Sequence, residues 1–143
     1  MILDIVTKRN VNDPPMYPPK DNAGTTEATN VLDTQGARGV EILVIGGAWT
    51  GTGSMAPTLQ ESNTKVGADF AAVAAEDYVG GAAPVTISAA NSVRKMGYLG
   101  TKRYLRVMLT KTGTVTLFFV TVTGALEFAY LMPGDDPSAV AAT

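Results

Sequence analysis

Apolar residues between Asn30 and Thr123 fall in short runs that alternate with polar ones and are separated by Gly, Thr and Ser. A period near two, with no sustained period near ~3.6, predicts strands rather than amphipathic helices. Val40 to Ile45 are all apolar except Glu41 and stop at Gly46 and Gly47, which predicts a strand covered on both faces. SMAPTLQESN predicts a second strand, with Pro57 near its start placing it at a sheet edge or a bulge. APVTIS alternates Val85 and Ile87 against Thr86 and Ser88 and predicts a third. In ADFAAVAAEDYVGG, Asp69 could cap a short helix containing Phe70 and Val73. Glu76 and Asp77 would then stand at its C-terminal end, against the macrodipole, so irregular or strand structure is the favoured reading.

KRYLRVMLTK places Leu105, Val107 and Leu109 on one face of a strand and Tyr104, Arg106 and Met108 on the other. TVTLFFVTVTG sets Val115, Leu117 and Phe119 against Phe118, Val120 and Val122, and Thr112 with Gly113 is predicted as the turn of a hairpin. Several such strands predict an all-β fold, an antiparallel β-sandwich or jelly roll over residues 30–137. Residues 138–143 are expected to fray.

Residues 1–29 have a different texture. Pro14, Pro15, Pro18 and Pro19 bracket Met16 and Tyr17, and PPMYPP is excluded from helix and from a central strand. Two readings stand: a disordered tail, or an extended N-terminal arm. Ile2, Leu3, Ile5, Val6, Met16 and Tyr17 favour an arm that lies on a partner, such as a neighbouring copy. On that reading, deleting the arm leaves a folded body.

Length and charge sharpen the picture. A chain of 143 residues suits one domain able to bury its own core without staples. With no cysteine, disulfides and thiolate chemistry are excluded, and with no histidine the usual base of a hydrolytic triad is missing. MILDIV followed by Lys8 and Arg9 has the wrong order and length for a secretory signal, and no run approaches the ~20 apolar residues of a membrane helix, so no membrane partner is expected. Adjacent acids at Glu76 and Asp77, and at Asp135 and Asp136, do not make a catalytic pair, because strand neighbours point apart and GDDP reads as a turn. No calcium loop or phosphate-binding loop is present, and GTGSMA is followed by a strand rather than the helix a dinucleotide fingerprint must open. No cofactor and no enzymatic activity are expected.

Charge is segregated: residues 78–126 hold six bases and no acid, although the chain carries a net charge of −2. Lys102, Arg103, Arg106 and Lys111, interleaved with Tyr98 and Tyr104, admit three readings. They are a charged sheet edge that blocks unwanted pairing, a surface for an acidic protein partner, or a groove for nucleic acid or glycan. Nucleic acid is disfavoured by the acidic balance of the whole chain. Trp49 is expected to pack against the core.

Three elements carry a family resemblance: LQES at Leu59 to Ser62, an F-x-x-V-x-x-x-D segment at Phe70 to Asp77, and a glycine and tyrosine strand from Gly97 leading to K-R-Y-L-R-V at Lys102 to Val107. Together, across approximately residues 38–125, they resemble small virion proteins of tailed bacteriophages. That resemblance implies a capsid decoration or cement protein, assembled in the bacterial cytoplasm and carried on the virion surface, with another structural component of the head or tail as the alternative role. It also implies the major capsid protein and further copies of the chain as partners. K-R-Y-L-R-V is similar as well to strands of carbohydrate-binding sandwich domains, which would use Trp49, Tyr98 or Tyr104.

Overall fold

The computed structural model describes residues 9–11, 15–21, 25–81 and 86–128. Four short strands come first: β1 (Arg9–Val11), β2 (Tyr17–Asp21), β3 (Thr26–Ala28) and β4 (Leu32–Asp33). They are followed by β5 (Ala37–Ser62), β6 (Ala71–Ala72), β7 (Val93–Tyr98) and β8 (Tyr104–Phe128). All pair antiparallel within one sheet. The long strands β5 and β8 form its spine, β1 to β4 line the other edge of β8, and β6 and β7 line the other edge of β5. The all-β expectation holds, and the sheet curls into a half-barrel. Among the described residues the strands pair as one sheet, which does not by itself establish the expected sandwich or jelly roll.

The predicted hairpin at Thr112 and Gly113 does not form. Gly113 has the positive φ of a turn residue, +80°, but it lies inside β8 opposite Gly53. The strand continues through it, because the strand it pairs with is β5 rather than its own return.

Two bulges explain how such long strands keep one apolar face. Between the pairs Gly46↔Val120 and Trp49↔Phe118, β5 carries one residue more than β8; between Thr50↔Leu117 and Gly51↔Val115, β8 carries one more than β5. A one-residue slip turns every following side chain to the opposite face. Buried positions on β5 accordingly change from Val40, Ile42 and Val44 to Met55 and Leu59, and on β8 from Leu105, Val107 and Leu109 to Val120, Val122 and Leu126. The bulges compensate, so both strands exchange parity together and the inner face stays continuous.

Pro57 obeys its constraint. The amides of Met55 and Leu59 point away from β8, to the Ile87 carbonyl at 2.8 Å and the Tyr78 hydroxyl at 3.3 Å. By alternation the Pro57 nitrogen faces the same way, where no described strand needs a donor. The segment after β5 is irregular, as favoured: 3-10 turns at Gly67–Asp69 and Ala75–Asp77 flank β6. APVTIS is not a strand where it is described; Ile87 makes an isolated bridge to Met55, and Val85 lies outside the described residues.

The expected division at residue 30 falls inside the sheet. Tyr17 pairs with Val122, Lys20 with Val120 and Glu27 with Leu109, while the Thr29 amide donates to the Val107 carbonyl at 2.9 Å. Met16 and Tyr17 are buried in this chain's own core, which corrects their assignment to a contact with a partner. The register of β2 breaks between Tyr17 and Lys20, where Pro18 and Pro19 cannot donate, and both prolines are exposed at the sheet edge. Ile2, Leu3, Ile5 and Val6 lie outside the described residues, as does the tail from residue 129 onward.

Candidate functional site

The basic strand comes first because the sequence singled it out. Arg103 forms a bidentate pair with Asp33 on β4, Nε to Oδ1 at 3.0 Å and an Nη to Oδ2 at 2.8 Å, and its guanidinium stacks 5.0 Å from the Tyr104 ring centre. That hydrogen-bonded guanidinium holds the Asp33 carboxyl below its ordinary range. Arg106 lies 4.3 Å over the Phe70 ring and donates to Gln60 Oε1 at 2.8 Å and to the Gly67 carbonyl at 3.1 Å. Both arginines therefore serve first to tie β8 to neighbouring segments of the same chain. Lys102 and Lys111 are half-buried, with backbone amides on the Tyr98 hydroxyl and the Thr25 carbonyl. Of the four cations, Arg103 is exposed and the other three are half-buried.

The aromatic candidates separate in the same way. Trp49 packs against the core and its indole N–H donates to the Gly51 carbonyl at 3.1 Å, as the core-packing expectation requires. Tyr98 is buried at the end of β7, so its ring is not a stacking platform. Its hydroxyl donates to Glu61 on β5 and accepts the Lys102 amide at 3.0 Å. Burial, then the hydrogen bond given to the Glu61 carboxylate, pushes the phenol far above its ordinary pKa, so it remains a neutral donor. Tyr78, also raised mainly by burial, reaches the Leu59 amide. Between them the two tyrosines fasten the turn-rich segment 67–81 and the end of β7 to β5. We expect Tyr98→Phe to destabilise the fold by about 1–3 kcal/mol, since it leaves Glu61 and the Lys102 amide without this partner. Equilibrium urea unfolding tests this, and an unchanged midpoint would exclude the role.

Among the described residues the outer face of β5 and β7 is open. Glu41, Leu43 and Ile45 face outward on β5, opposite Gly97, Lys95 and Val93 of β7. Val79 lies over Gly97, so close that a Cβ there would stand 2.4 Å from Val79 Cγ2. A groove of about 440 Å³ runs beside it, floored by Gly39, Gly97 and Ala125 and walled by Val79, Leu99, Glu41 and Lys95. Sequence reasoning missed this surface although its signal was present: the apolar run of β5 implied cover on both faces, and the described residues cover only one.

No group of three or more metal-ligating side chains occurs among the described residues. No protein-family model matches the chain, and no curated protein matches it.

Proposed function

We propose that the protein is a structural component of a bacteriophage virion, of the capsid decoration or cement type, that docks on the outer surface of the shell in many copies. The reading starts from the resemblance of LQES, F-x-x-V-x-x-x-D and K-R-Y-L-R-V to small phage virion proteins. Its support in the fold is that these three elements form one unit. Leu59 to Ser62 pair with Tyr104 to Val107, Phe70 lies beneath Arg106, and the Val73 amide donates to the Leu59 carbonyl. The motif residues are thus joined by packing, as suits an inert body whose use is attachment rather than turnover.

The observation that carries the reading is the outer face of β5 and β7, which among the described residues leaves Ile45, Val79, Val93 and Leu99 exposed, a surface that contact with protein, whether the shell or a second copy, would complete. Repetition by symmetry makes modest individual contacts sufficient on a shell, because attachment at several points raises the effective concentration of each. A carbohydrate-binding role loses its Tyr98 platform to burial, and Trp49 is turned to the core. Co-sedimentation with empty shells of the major capsid protein from the same genome tests the proposal. Saturable binding with a higher shell melting temperature is expected, and shells that pellet without the protein would overturn it.

A further inference from the structure

We infer that the outer face of β5 and β7 is a twofold self-association surface, with a second copy of this chain as its occupant. The inference deepens the oligomeric part of the reading above but does not require a shell. Five large apolar side chains are exposed among the described residues, and four of them belong to this face: Ile45 at 37%, Val93 at 50%, Val79 at 60% and Leu99 at 63%. They form two clusters. Ile45 and Val93 are cross-strand partners at one end of β7, while Val79 and Leu99 wall the groove at the other.

Between the clusters sits one charged pair, Glu41 Oε1 and Lys95 Nζ at 3.9 Å, with both side chains more than half exposed. Apolar, charged pair, apolar is a pattern symmetric about its middle. A dyad lying in the plane of the interface, across the strands and level with the pair, lays the Ile45 and Val93 end of one copy on the Val79 and Leu99 end of the other. The same operation brings Glu41 of each copy level with Lys95 of its mate, so the charges meet as opposite pairs across the interface. A copy shifted or turned by any other operation puts an apolar cluster on the charges, or like charges together, and is disfavoured. Small residues at Gly39, Gly97 and Ala125 leave the groove as the socket for the apolar side chains of the mate.

Sedimentation velocity of the full chain, without shells, tests this. The protein is expected to dimerise, and Leu99→Asp, at an exposed site that does not threaten the fold, is expected to weaken dimerisation at least about tenfold. Glu41→Lys and Lys95→Glu each remove both symmetry-related pairs and should weaken it roughly tenfold at most. The deciding measurement mixes these two single variants. Their heterodimer restores opposite charges between chains while the pair within each chain stays broken, so recovery of the dimer supports the inference and can come only from contacts between copies. A monomer at every concentration, a dimer that Leu99→Asp leaves intact, or no recovery in the mixture overturns it. Shell co-sedimentation of the Leu99→Asp protein separates the two readings. Loss of shell binding on Leu99→Asp, with the unmodified chain monomeric on its own, would assign the face to the shell and sink the self-association inference, whereas a dimer that ignores shells would sink only the virion role.

Discussion

A chain lacking residues 1–29 is expected to lose its cooperative fold. The stretch contributes Met16 and Tyr17 to the core and three strands, β1, β2 and β3, to one edge of β8. Met16 is among the largest fully buried side chains, and its sulfur stands near Gly124, close to where Leu32 and Ile42 also meet the backbone of β8. Truncating such a residue alone costs about 2–5 kcal/mol. Against a total stability of about 5–15 kcal/mol, deletion also removes Tyr17, the Thr29 hydroxyl that accepts the Val107 amide, and the pairing of much of β8. The exposed strand edge then favours aggregation. Thermal unfolding followed by circular dichroism checks this: the truncated chain should show no cooperative transition, and Met16→Ala should show one at a lower temperature. A truncated chain that melts within a few degrees of the full one would return these residues to the status of a detachable arm.

The reason that expectation reverses the sequence reading is specific. The prolines of PPMYPP correctly excluded a central strand, and β2 is indeed an edge strand interrupted at Pro18 and Pro19. What local pattern does not contain is the identity of the edge. Tyr17 meets Val122, about a hundred positions later, and nothing within residues 1–29 distinguishes a sheet edge in the same chain from one in a neighbour. The basic cluster failed to resolve for the same reason. Arg103 and Arg106 were visible as cations, but Asp33 and Phe70, which engage them, lie far away in sequence.

Where a face is set by period two, the sequence was a reliable guide. Leu105, Val107 and Leu109 are all fully buried, and Val40, Ile42 and Val44 share one face. Parity across a bulge is different, because an extra residue is defined only relative to the strand opposite. Gly113 therefore looked like the turn of a hairpin: its positive φ was legible, but whether such a residue reverses a chain or continues a strand depends on Gly53 across the sheet.

The same bulges identify the position least able to accept a side chain. Gly51, immediately after the second bulge, has φ +113°, and a Cβ there would stand 2.0 Å from the Thr114 carbonyl oxygen and 3.0 Å from its carbon. Both neighbours are backbone of the paired strand, so no rotamer change relieves the clash, and separating the strands would undo the parity exchange on which the core depends. Gly51→Ala is expected to destabilise the protein by about 3–6 kcal/mol, combining backbone strain with overpacking. Gly80 is the matched comparison: its φ is +90°, yet nothing lies within 4 Å of an added Cβ. Gly80→Ala should therefore cost only the conformational strain, about 1–3 kcal/mol. Urea denaturation of the two variants side by side isolates the close approach of the strands from the conformation itself. If Gly51→Ala proved as mild as Gly80→Ala, the bulged crossing of β5 and β8 would be loose enough to repack, and the continuous inner face would need another explanation.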